Sequence, residues 1–145
     1  MSEISEQEEE AWCAEQRDVV ANYLARQSGL EHGEIGEWPA WHVAPHVAIW
    51  SVESVANPGW VGWWAISGDL PGDYCSADGR RHPRLALRHF AQSWREALAR
   101  TPEGAETIGE TGLPFELAAI LEHRAELLSA WAEDDEFWPD DIYGS

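Results

Sequence analysis

His46-Val47-Ala48-Ile49-Trp50-Ser51-Val52-Glu53 and Trp60-Val61-Gly62-Trp63-Trp64-Ala65-Ile66-Ser67 are two apolar runs either side of Ser54-Val55-Ala56-Asn57-Pro58-Gly59. Each run has strand length, is rich in Val, Ile and Trp, and is bounded by turn residues, which predicts a β-hairpin. Asn57-Pro58-Gly59 makes the turn, because proline presets φ and glycine accepts φ > 0. Neither run alternates apolar with polar residues, so both sheet faces should be covered, by helices or by another chain. Gly62, set between large indoles, predicts close approach of another backbone or ring.

Outward from the hairpin the pattern turns helical. Residues 5–28 read as a helix, with Ser5 and Glu8 forming a capping box, Trp12, Val19, Val20 and Tyr23 on the apolar face and Cys13 and Leu24 at its edge. Gly29 is the expected stop. Residues 30–45 are irregular, punctuated by Gly33, Gly36, Pro39 and Pro45, with Trp38 and Trp41 expected to plug the core. Residues 83–100 form a second helix with Pro83 in its first position and an apolar face of Leu87, Phe90, Ala91, Trp94 and Leu98. A mobile 101–113 loop and a third helix over 114–134 follow. The expected fold is α+β: an N-terminal helix, a central antiparallel hairpin with room for a third short strand, and two C-terminal helices packed on the sheet. One domain over 1–145 is expected, with 1–4 and about 136–145 as mobile tails.

The chain carries 145 residues, ten Trp and a net charge of −18, and its nine basic residues are all Arg. Such acidity argues against binding nucleic acid or an anionic membrane. Its simpler reading is a generally acidic proteome with arginine-rich codon usage, and the sharper one an acidic partner for a basic protein. No run reaches the ~18 apolar residues of a membrane span, and the acidic first residues do not resemble a signal peptide. Cys13 and Cys75 read as a reduced pair in a cytoplasmic protein.

Residues 80–100 hold six Arg and one Glu. Arg80, Arg81, His82, Arg84 and Arg88 surround the start of the second helix, where free N–H groups and the helix dipole also favour an anion. The simpler reading is that these arginines neutralise acidic neighbours. Asp69, Asp73 and Tyr74 make the 68–83 connection a candidate polar site, although Asp69-Leu70-Pro71-Gly72-Asp73 is also ordinary turn chemistry. Arg124 falls on the apolar face of the third helix, and predicts a buried ion pair with Asp69 or Asp73. His42 and His46 are four apart, but the flanking prolines break the helix that would make them a metal pair. No catalytic, metal or cofactor motif is present, which leans against an enzyme.

Pro58-Gly59-Trp60-Val61-Gly62-Trp63-Trp64-Ala65-Ile66-Ser67-Gly68-Asp69-Leu70-Pro71, with Asp73-Tyr74, His82-Pro83-Arg84 and Glu37-Trp38-Pro39-Ala40-Trp41, resembles a bacterial family of small, acidic, Trp-rich proteins of unknown function. The resemblance implies a bacterial, single-domain, cytoplasmic protein and no particular activity. The favoured expectation is a non-enzymatic interaction module, as a homodimer or with a basic partner. The alternatives are an immunity- or inhibitor-type protein, and a small enzyme or anion sensor built on residues 68–88.

Overall fold

Ser5 caps the first helix as its sequence requires. In the computed structural model, which describes residues 5–109 and 113–138, the Ser5 Oγ accepts the Glu8 N–H at 3.1 Å and Glu8 Oε1 accepts the Ser5 N–H at 2.9 Å. Hydrogen bonding of the Glu8 carboxylate by the Ser5 backbone N–H, and next by the Ser5 side chain, holds that carboxyl below its usual range. Helix α1 then runs Glu6–Ala25. Four antiparallel strands follow in the order β1 (Trp41–Val43), β2 (Val47–Glu53), β3 (Val61–Gly68) and β4 (Asp73–Ser76). Helices α2 (Pro83–Arg100) and α3 (Ala118–Glu133) complete the chain, with 3-10 turns at Phe115–Leu117 and Asp135–Phe137. The architecture is α+β. The chain divides into two compact units, Met1–Pro83 and Arg84–Ser145.

In the first unit the hairpin forms where the sequence places it, and each neighbouring segment adds a short edge strand. Trp41–Val43 pairs with Val47–Ile49, and Asp73–Ser76 with Trp63–Ile66. The 30–45 and 68–83 segments are therefore not purely irregular. Gly62 sits where expected: a Cβ there would lie 2.8 Å from the Ser54 Cα, beside the irregularity at Val52/Glu53. Gly68, at φ +135°, is tighter still, since its Cβ would lie 2.2 Å from the His46 carbonyl oxygen.

Both faces of the sheet are buried. Ala48, Trp50, Val52 and Ala65 form one core cluster with Val20 and Leu24 of α1, flanked by Trp12, Tyr23, Trp63 and Tyr74. The opposite parity, Val47, Ile49, Trp64, Ile66 and Cys75, is buried as well. The Trp50 indole donates to the buried Ser67 hydroxyl at 3.1 Å, and that of Trp64 to the Arg80 carbonyl at 2.7 Å. Cys13 and Cys75 are both free and buried. The α1 face centres on Cys13, Val20 and Leu24, one residue round from the expected stripe. Trp12 and Tyr23 reach the core from its flank, and Val19 is left 45% exposed.

In the second unit α2 keeps its expected bounds. Its buried side includes Leu87, Phe90, Ala91, Trp94 and Ala97, and it includes Arg84, one of the candidate anion ligands at the helix start. The loop after α2 is pinned by fully buried Ile108, whose N–H bonds the Leu113 carbonyl at 2.9 Å. The buried stripe of α3 is Leu121, Ala125, Leu128 and Ala132, while Ile120 faces outward at 51% exposure. Alanines carry half of this stripe, so the helix packs closely on a narrow face. Trp138 is buried, its indole donating to the Trp131 carbonyl at 2.9 Å. Of the two expected tails, 1–4 and 139–145 lie outside the described residues.

Candidate functional site

The turn between β2 and β3 is held by side chains as much as by its backbone. The Ser54 N–H donates to the Trp60 carbonyl at 2.8 Å, and the Trp60 N–H to the Asn57 carbonyl at 3.1 Å. Ser54 Oγ accepts the Asn57 N–H at 3.1 Å, and Glu53 Oε2 the Gly59 N–H at 2.7 Å. Gly59 adopts φ +92°, which a side chain would resist. This fixed turn carries Val55, Ala56, Pro58 and Trp60 on its outside, with Trp60 65% exposed. It is the most exposed of the large hydrophobic side chains described.

A second aromatic group lies on the opposite edge of the same unit. His42 of β1 stacks on Trp12 of α1, centroids 6.3 Å apart, and meets Trp38 edge-on at 6.0 Å. Its Nε2 lies 2.5 Å from Glu9 Oε2. Pro39 is buried and Trp41 half-buried, whereas Trp38 is 48% exposed, so the plug is Pro39 rather than Trp38. The sequence showed His42 and His46 but not Glu9, which is 33 residues from its partner.

Backbone carbonyls along both sides of the sheet are covered by arginine, on one side in the segment ahead of β1 where Ile35 bridges to Val52, on the other in β4. Arg17 donates from Nε to the Gly36 carbonyl at 2.9 Å and from Nη2 to that of Ile35 at 2.7 Å. At β4, Arg80 Nη1 donates to the Ser76 carbonyl at 2.9 Å, and the Asp73 carboxylate accepts the Tyr74 N–H at 2.8 Å. Exposed strand edges invite pairing with another chain, and charged residues placed there discourage it.

The candidate anion-binding residues are therefore engaged with the protein itself. Arg81 Nη1 donates to the Val61 carbonyl at 3.2 Å, beside Arg80 on Ser76. In the second unit Arg84 donates to the Ala132 carbonyl at 2.6 Å and to Asp135 at 2.7 Å, and Arg88 to Glu133 at 2.9 Å. His82 is half-buried. In the polar connection Asp69 is exposed, its N–H bonded to the His46 carbonyl at 2.8 Å. Tyr74 meets Tyr23 and Trp63 edge-on, at 6.2 and 5.9 Å. Burial, then the Asp73 charge, pushes the Tyr23 phenol up to about 12. Arg124 is half-buried in α3. A shallow groove in the second unit is lined by Arg95, Leu98, Ala99, Glu122 and Glu126. Among the described residues no group of three or more His, Cys, Asp and Glu is placed to hold a metal, and no helix is long and apolar enough to cross a membrane.

The family model for a domain of unknown function, DUF4826, matches residues 6–138. The chain belongs to that family. The match takes in every helix and strand of both units, from the start of α1 to buried Trp138. DUF4826 carries no assigned chemistry, so a function has to be argued from the surface. Neither the curated proteins nor the solved structures yield a match.

Proposed function

We propose that this DUF4826 protein is a non-enzymatic interaction module that presents Trp60 to a protein partner. The observation that carries the reading is the hydrogen-bonded turn 54–60, which holds Trp60 outward at 65% exposure. Tryptophan is favoured at binding hot spots, and an ordered turn lowers the entropic cost of association. The covered carbonyls of Ile35, Gly36 and Ser76 favour recognition through side chains over strand addition. With a net charge of −18 the partner is basic, the immunity- or inhibitor-type version of the same reading. Two free, buried thiols fit the reducing bacterial cytoplasm that the sequence resemblance implies.

The test is a parallel pull-down with the full chain and its Trp60→Ala variant at ~150 mM salt, where exposed charges are screened beyond about 8 Å. The expected result is a protein retained by the wild type and lost by the variant, with identical thermal melting of the two baits. An identical retained set on both baits would remove Trp60 as the anchor.

A further inference from the structure

The stretch from 27 to 79 contains six of the ten Trp and seven carboxylates, Glu31, Glu34, Glu37, Glu53, Asp69, Asp73 and Asp78, but no Arg or Lys. The whole sheet is built in this stretch. Its own side-chain charges are thus carboxylates, with three histidines (His32, His42 and His46) and neither arginine nor lysine. On the β1 side Arg17 of α1 has its guanidinium placed on the Ile35 and Gly36 carbonyls.

Trp38 occupies that edge. The chain on either side of it is fixed: the Gly36 N–H donates to the Ser51 carbonyl at 2.9 Å and the Ala40 N–H to that of Ile49 at 2.8 Å. Pro39 beside it is buried. The ring abuts His42, which Glu9 and Trp12 hold in turn. Nearly half of the residue nonetheless remains in water, one position after exposed Glu37 and four after exposed Glu34. An indole face is attracted to a cation, and neighbouring carboxylates add to that attraction.

We propose that this edge, centred on Trp38 with Glu34 and Glu37, seats an arginine side chain of a basic protein partner. The argument for that occupant is charge complementarity. The segment offers aromatic faces and carboxylates, and arginine's planar guanidinium both stacks on an indole and bonds a carboxylate. The inference rests on the interaction-module reading, but it uses a surface other than the Trp60 turn.

The test is a fluorescence titration of the full chain with hexa-arginine at ~150 mM salt, with hexa-glutamine as the neutral control. Trp38→Ala should weaken hexa-arginine binding about twofold to fivefold, the range for a cation over an exposed indole. Trp38→Phe should restore part of it, the Glu34→Gln/Glu37→Gln double variant should weaken it, and Ile120→Ala, an exposed apolar position on α3, should leave it unchanged. Equal affinity for wild type and Trp38→Ala would overturn the proposal, because the binding would then reflect net charge alone. No binding by the wild type would overturn it too. Either failure leaves the Trp60 reading to its own pull-down.

Discussion

Arg84 and Asp135 meet at 2.7 Å, yet the arginine side chain is 4% exposed and the aspartate 90%. The ion pair is therefore the solvent side of a buried anchor. On the inner side Arg84 Nε donates to the Ala132 carbonyl at 2.6 Å, and the guanidinium carbon lies 5.9 Å from the Trp138 ring centre. The last turn of α3 has no basic residue of its own. Arg84 supplies the positive charge that its terminal carbonyls favour.

Two unequal losses should follow. Arg84→Ala should cost about 2–3 kcal/mol, as expected for a buried carbonyl losing a charged donor. Asp135→Ala should cost under about 1 kcal/mol, because its end of the pair is in water. Arg84→Lys should recover little, since one ammonium cannot reproduce the guanidinium fork. Urea denaturation of the three variants checks the order. Equal losses for Arg84→Ala and Asp135→Ala would show that the anchor is no stronger than a surface pair.

Gly68 and Gly79 both adopt positive φ, at +135° and +76°, but only Gly68 has backbone in the way of a Cβ. Gly68→Ala should cost about 3 kcal/mol or more, the upper end for a strained backbone position, because the His46 carbonyl cannot swing aside. Gly79→Ala should cost only about 1–2 kcal/mol, the left-handed penalty alone. A comparison of denaturation midpoints tests this, and comparable losses would contradict the close approach at Gly68.

These two elements show what was legible. The hairpin was, because Asn57-Pro58-Gly59 and the flanking β-branched and aromatic residues agree on one local structure. So were the capping box of α1 and the bounds of α2. The edge strands were not: Trp41–Val43 is three residues long and Asp73–Ser76 four, between prolines and glycines that also read as turns. Their pairing comes from β2 and β3 rather than from their own sequence. The site residues were obscured for the same reason. Arg80 reads in the sequence as a candidate anion ligand and Arg17 carries no signal there, and only the folded chain brings the carbonyls of Ser76, Ile35 and Gly36 to them.

Burial also sets an alkaline limit. Desolvation pushes the Cys75 thiol up to about 12, the nearby Asp73 adding to it and Arg80 opposing, and Tyr23 likewise reaches about 12. In the unfolded chain these groups ionise near their ordinary values of 9.0 and 10.0. Above those values the unfolded chain loses protons that the folded chain keeps, so the unfolded state binds fewer protons and stability falls as pH rises. Stability should decline from about pH 9 toward pH 12, and Tyr23→Phe or Cys75→Ala should each flatten the decline. A chemical-denaturation series across pH 8–11 measures the slope, and a flat wild-type profile would refute the buried-ionisation account.

The covered sheet edges yield the last expectation. If Arg17 and Arg80 blunt the two sides of the sheet, removing both guanidiniums leaves the carbonyls of Ile35, Gly36 and Ser76 open to another chain's N–H groups. Each single alanine variant should lose about 1 kcal/mol, one or two ordinary hydrogen bonds on partly solvated carbonyls. The Arg17→Ala/Arg80→Ala double variant should in addition self-associate, seen as a mass by light scattering that grows with protein concentration. A lysine at each position should suppress the growth by charge while recovering little stability, which separates edge protection from simple bonding. If the double variant scatters like the wild type at every concentration, the two arginines only brace the sheet, and partner recognition by strand addition becomes open again at either edge.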